Sequence, residues 1–249
     1  MNTSSPNGAW VTCSNHTQSH KQSHKHSHKH SHKLPMITLV DIEHALQLPQ
    51  FDSAAAHARL MPTARVTRRP AGTPGQPRQG AVLLLLYCKN NAWHVVLTRR
   101  RENLQSHAGQ ISFPGGRREA QESLAATALR ETHEEVGIPP AGVRLLGQLT
   151  TLYIPPSDFE VHPFVGWHSQ PVTMHPDPAE VAEILEVPLA HLLDPATQQS
   201  EQWELRGMAV EVPFYQVGPH KVWGATAMML SEFMERLRAV PPVNGGAPL

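Results

Sequence analysis

The longest apolar run in the chain, residues 81–88 (AVLLLLYC), limits the possible folds more than any other feature. It reads as a buried strand and is far too short to cross a membrane as a helix. Lys89-Asn90-Asn91-Ala92 then turns the chain into a second strand, WHVVLTR. Helix and strand patterns alternate around this pair. A helix is expected over VDIEHALQL with Thr38 as its N-cap, and a short one over 53–60. Residues 70–80 form a Pro/Gly loop. A short strand over 111–113 is stopped by Pro114-Gly115-Gly116, and 121–136 carry a helical pattern. Strands are expected at 144–149 and 161–167, with strand character over 203–215. An amphipathic helix over 225–240 ends at Pro241-Pro242. Strands and helices mixed in one stretch indicate a single α/β or α+β layered domain.

Charge and cysteine usage exclude several function classes. Lys+Arg and Asp+Glu both number 21, so there is no wholesale basic footprint for duplex nucleic acid. Two cysteines, Cys13 and Cys88, cannot build a disulfide framework and fit a reducing, cytoplasmic setting. Cys88, ending an apolar strand, reads as a small buried residue and not as a nucleophile. Histidine is the oddity: seven of the 17 lie between His16 and His32. That stretch is almost without apolar residues, so 1–35 is expected to be a disordered tail. Three accounts of it compete: a metal-scavenging tract, an expression tag, or sequence upstream of a natural start at Met36.

The informative segment is 107–138, HAGQISFPGGRREAQESLAATALRETHEEVGI. Ala125, Ala128, Leu129, Thr132 and Val136 fall on one side of a helix. Glu131, Glu134 and Glu135, spaced i, i+3, i+4, gather on an adjacent side. Three carboxylates that close repel one another, and a helix C-terminus favours cations instead. A hard divalent cation, Mg²⁺ or Mn²⁺, removes both penalties. Taken alone, a Glu-x-x-Glu-Glu cluster is more often a solvated acidic face. The preceding Phe113-Pro114-Gly115-Gly116 loop changes that weighting, because glycine lets backbone amides approach a ligand closely. Arg130 is placed to pair with a carboxylate and brace the loop.

The run fits Gly-x5-Glu-x7-Arg-Glu-U-x-Glu-Glu-x-Gly-U, with U usually apolar, at Gly116, Glu122, Arg130, Glu131, Thr132, Glu134, Glu135, Gly137 and Ile138. This is the Nudix box, and the chain resembles a Nudix hydrolase. Thr132 stands at a usually apolar position and removes no metal ligand. The resemblance implies an α/β/α sandwich around a mixed sheet, with the box as loop–helix–loop. It also implies hydrolysis of a nucleoside diphosphate linked to another moiety. Glu131, Glu134 and Glu135 match the family's metal ligands, and Glu122 a supporting position. Divalent ions on the diphosphate oxygens would neutralise developing charge and acidify a water. The general base stays open between a box glutamate and a later carboxylate: Asp158, Glu160, Glu180 or Glu183.

The residues before the box narrow the resemblance. Arg100, Leu104, His107, Gly109, Gln110, Ile111 and Phe113 match the extended signature of the coenzyme A pyrophosphatase branch, which cleaves coenzyme A to 3′,5′-ADP and 4′-phosphopantetheine. Arg101 and Gln105 depart from it. Further likeness lies in Tyr153-Ile154-Pro155-Pro156-Ser157, in Glu180-Val181-Ala182-Glu183 with Val187-Pro188-Leu189, and in Val222-Trp223-Gly224-Ala225-Thr226-Ala227. A 3′-phosphate calls for extra cationic donors, and Arg99, Arg100 and Arg101 lie just before the box. At most two of these should face one ligand. His107, Gly115 and Gly116 complete the expected substrate contacts. Trp203 and Trp223 read as core or interface aromatics.

The expected organisation is a His-rich tail over 1–35, an N-terminal helical extension over 36–75, a Nudix hydrolase domain over 76–240 and a flexible tail over 241–249. The expected partner is a small molecule, without nucleic acid or membrane, and a homodimer is allowed. Two other readings compete with a coenzyme A diphosphatase. One is a Nudix enzyme acting on ADP-ribose or a dinucleoside polyphosphate, and the other is an idle Nudix binding module.

Overall fold

The computed structural model describes residues 37–63, 65, 68–103, 108–205 and 207–240. The expected tails, 1–35 and 241–249, lie outside them.

Two long strands organise the molecule, β1 (Arg78–Lys89) and β2 (Ala92–Arg100). Lys89 pairs with Ala92, so Asn90 and Asn91 alone make the turn, at φ 53° and 59°. Asparagine tolerates this left-handed region, which two-residue hairpins need. Residues 81–87 of β1 are apolar because they are covered on both faces. Ala81, Leu83, Leu85 and Tyr87 pack with Ala128 and Val136 of α3 (Leu124–Val136). Leu84 and Leu86 face the opposite core, shared with α1 (Leu39–Leu46) and α5 (Gly224–Ala239). α2 (Ser53–Ala58) lies with them, its buried His57 bonded to Glu232 of α5. The period-2 alternation of a strand thus splits one apolar run between two layers.

β1 runs parallel to β7 (Phe159–His168), and every other pairing is antiparallel, so the sheet is mixed. β5 (Val143–Gln148) and β6 (Leu152–Ile154) pair with β7. β8 (Val181–Pro188) pairs with β2. β1 and β2 pair only near their turn and then separate. β3 (Ile111–Ser112) follows the end of β2, and β4 (Gly115–Arg117) follows the start of β1. The peptide between them crosses the wedge, where Leu83 N–H donates to the Pro114 carbonyl at 2.9 Å. The loop expected at Gly115-Gly116 is therefore paired strand. The α/β/α arrangement expected from the sequence is the one found.

After α4 (Leu189–Leu193), β9 (Gln198–Leu205), β10 (Met208–Val217) and β11 (His220–Trp223) form a separate antiparallel sheet. The strand expected over 203–215 is thus a hairpin, broken around Gly207. Trp203 meets Trp223 edge-on at 5.1 Å, a packing contact as expected. Thr38 caps α1 in a reciprocal capping box with Asp41. Among the described residues of the expected helical extension, helix covers two short spans, α1 and α2. Cys88 is half-buried rather than fully buried, and it is not a free thiol. No helix among the described residues is long and apolar enough to cross a membrane.

Candidate active site

The site is built where β4 lies against α3. Ser123 caps α3 by accepting from the Ala126 N–H, and Gly137, at φ 77°, ends it. A Cβ on Gly115 would collide with the Ala81 carbonyl and stand 2.6 Å from the Val82 Cα. A Cβ on Gly116 would stand 2.5 Å from the Glu131 carboxyl carbon. The first glycine lets β4 lie on β1, and the second lets the Glu131 carboxylate lie on β4. Gly115 thus serves the sheet as well as any ligand.

Arg130 organises the outer side of the box. Its Nε and Nη2 donate to Glu122 at 3.2 and 2.9 Å, and its Nη1 donates to Glu134 at 2.9 Å and lies 3.0 Å from Glu131. Nη2 also reaches the Arg117 carbonyl at 3.2 Å, bracing the loop as expected. Glu122 accepts further from the Glu119 N–H and the Thr127 hydroxyl. Arg130 and then the Glu119 amide hold its carboxyl well below the usual range, at about 2. Glu122 is therefore an ionised brace at neutral pH.

Glu131 and Glu135 are in the opposite condition. Glu135 is 4% exposed. It accepts from the Gly115 N–H and, at 3.4 Å, from the Thr98 hydroxyl, and Arg100 approaches only to 4.0 Å. Burial, reinforced by Glu131 and Glu180, pushes its pKa up to about 8 against the pull of Arg100. Burial raises Glu131 too, although Arg130 opposes the rise. Two neighbouring carboxylates are thus desolvated with too little positive charge to balance them.

That donor set fits a hard divalent cation. Among the described residues no three His, Cys, Asp or Glu side chains converge into a closed cage. Glu134, its side chain 55% exposed, turns to Arg130 instead. Mg²⁺ asks for one or two carboxylates and keeps its waters and substrate oxygens, which is what Glu131 and Glu135 leave room for. The pair is brought together, whereas Glu134 stands at the margin.

The arginines before the box divide between the two faces of β2. Arg100 shares the Thr98 face and bridges Glu135 and Glu180, the latter at 3.4 Å. Arg99 pairs with Glu102 and Glu183, away from the box. Arg101 donates to the Pro178 carbonyl. His107 lies outside the described residues. Of the later carboxylates, Glu180 faces the box, for its charge acts on both Glu131 and Glu135. Asp158 is clamped by Arg69 at 2.8 Å, which holds it near a pKa of about 2. Glu183 is engaged by Arg99 and His220. Glu160 acts on His162 of β7. Sequence reasoning missed Thr98. Its signal was its position two residues before Arg100 on one strand face.

A family model described as the NUDIX domain matches residues 77–206. A protein of Photorhabdus laumondii subsp. laumondii, described as an uncharacterized Nudix hydrolase NudL, is 40% identical over 162 residues, covering 65% of this chain and 86% of the relative. Its namesake in Yersinia enterocolitica is 34% identical over 170 residues, covering 68% and 86%. A solved MutT protein from Methanosarcina mazei Go1 is similar at 22% identity and a TM-score of 0.44, covering 66% of this chain and 96% of that one.

Proposed function

Because the chain belongs to the NUDIX domain family, we propose that it is a divalent-metal-dependent hydrolase that cleaves the diphosphate of coenzyme A to 3′,5′-ADP and 4′-phosphopantetheine. The observation that carries the hydrolytic reading is the desolvated Glu131–Glu135 pair, raised in pKa and set against β4. The substrate reading is supported by the coenzyme A signature of the residues before the box, with Arg100 from that stretch turned to the site. Glu131 and Glu135 would hold Mg²⁺ or Mn²⁺, with Glu134 at the entrance. When bound, such an ion neutralises diphosphate charge and acidifies water.

The chain's own groups supply the rest. Arg130 keeps Glu131 and Glu134 oriented while Glu122 keeps Arg130 in place. Arg100 stands over Glu135 as a donor toward a phosphoryl oxygen. Glu180, across Arg100 from Glu135, is assigned the proton of the attacking water. In-line displacement then asks mainly for positioning and electrostatics. A cytoplasmic setting belongs to the same reading.

The test compares turnover of coenzyme A, dephospho-coenzyme A and ADP-ribose with Mg²⁺ and with Mn²⁺. Coenzyme A should be hydrolysed with the highest kcat/KM. A large advantage for ADP-ribose would overturn the substrate assignment.

A further inference from the structure

Most arginines in the described chain meet a carboxylate. Arg69 holds Asp158, Arg130 holds box glutamates, Arg144 meets Glu43, and Arg236 and Arg238 meet Glu232 and Glu235. Arg78, Arg117 and Arg118 do not. They line one cleft with Gln79 and Glu119, where β1 begins and β4 ends. Arg78 donates to the Ser157 carbonyl and lies 4.5 Å over the Phe159 ring. Arg118 donates to Gln79 Oε1 at 2.8 Å and to the Glu122 carbonyl at 2.7 Å. These acceptors are neutral. The Arg117 side chain has no hydrogen bond or ion pair among the described residues. Asp158, near Arg78, is already committed to Arg69 and Tyr153.

Three guanidinium groups therefore face a single lining carboxylate, Glu119. Three like charges held together with one lining counter-charge form a positive potential suited to an anion. The cleft adjoins the hydrolytic centre, since Arg117 follows Gly116, on which the Glu131 carboxylate lies. The loop lining it is constrained: Gln121 is held at φ 77°, a region unfavourable to side-chain-bearing residues. Arg99, Arg100 and Arg101, by contrast, are already answered by Glu102, Glu183, Glu180 and a carbonyl.

We infer that the Arg78–Arg117–Arg118 cleft is an anion subsite for a phosphomonoester that the substrate carries apart from its scissile diphosphate. The inference rests on the coenzyme A reading, in which that group is the 3′-phosphate. Planar guanidinium forks match its oxygens.

Calorimetry on the full chain in Mg²⁺, with 3′,5′-ADP and 5′-AMP as probes, tests it. The wild type should bind 3′,5′-ADP at least about tenfold more tightly than 5′-AMP, the scale of a charge-assisted hydrogen bond. Arg78→Ala/Arg117→Ala should abolish that preference and leave 5′-AMP binding as it was. Arg117→Ala alone, which removes no bond of the fold, should narrow it and serves if the double variant misfolds. Equal binding of the two probes by the wild type overturns the subsite, and so does a preference that survives these variants. If the preference behaves as expected while ADP-ribose is turned over faster than coenzyme A, the substrate reading fails alone. If coenzyme A is preferred but the probes bind equally, the subsite fails alone.

Discussion

Glu135 and Glu232 are both buried helix residues, 4% and 0% exposed, yet their surroundings treat them differently. Burial alone would raise both. Around Glu232 it is overcome: His57 Nε2 lies at 2.8 Å, Arg236 Nε at 3.0 Å, and the Thr150 hydroxyl and N–H at 3.0 and 3.1 Å, so its pKa falls below the usual value. Around Glu135 burial wins, because a guanidinium 4.0 Å away and a 3.4 Å hydroxyl contact do not offset it. The first glutamate is finished by the fold and fastens α2 and the residues before β6 onto α5. The second is left short of positive charge, a deficit that a ligand can fill.

The largest expected effect falls on the unfinished side. Glu135→Gln and Glu131→Gln should each lower turnover about 10³-fold by removing charge from the diphosphate site. Both variants should still fold, with a single cooperative unfolding transition. Full activity in both variants would end the metal-site assignment. Glu180→Gln should lower kcat about 10²-fold with little change in KM, and an unchanged kcat would return the base to an open question.

On the finished side, Glu232→Gln leaves Arg236 without its counter-charge and removes the carboxylate that His57 and Thr150 bond to. It should cost about 3 kcal/mol in denaturant unfolding, while kcat of the folded protein changes little. A loss of kcat without a loss of stability would erase the contrast.

pH sharpens the comparison further. The Glu135 carboxyl moves from its ordinary 4.5 to about 8, so the folded chain binds that proton more tightly than the unfolded chain. Its contribution to metal-free stability is full below pH 4.5 and is lost as pH rises toward 8. The Glu232 shift is downward, so its contribution is present above pH 4.5 and is lost as pH falls. Unfolding of metal-free protein across pH 5–8 should show the first slope in the wild type and a shallower one in Glu135→Gln, where only the raised Glu131 remains. A slope unaltered in that variant would assign it elsewhere. The smallest effect is remote from both glutamates: Thr38→Ala should cost about 1 kcal/mol by removing the α1 cap, measured by thermal unfolding.

Much of this was legible residue by residue. The Asn90-Asn91 turn, the Thr38 cap and the helix carrying Glu131, Glu134 and Glu135 follow from spacings of two to four residues. β4 was not legible, because Pro114-Gly115-Gly116 reads as a loop until β1 and β2 separate and leave a free strand edge beside it. Nothing in the sequence sets Glu232 apart on the amphipathic helix over 225–240, because its partners His57 and Thr150 come from distant parts of the chain.

The sequence by itself determined that a buried strand pair, a glycine turn and a glutamate-bearing helix occur in that order, since periodicity and capping act within a turn or two. Tertiary structure decided which charges are answered. His57 meets Glu232 across 175 positions, Arg69 meets Asp158 across 89, and Arg100 meets Glu180 across 80. Coulomb and desolvation energies depend on distance in space, and separation along the chain does not set that distance.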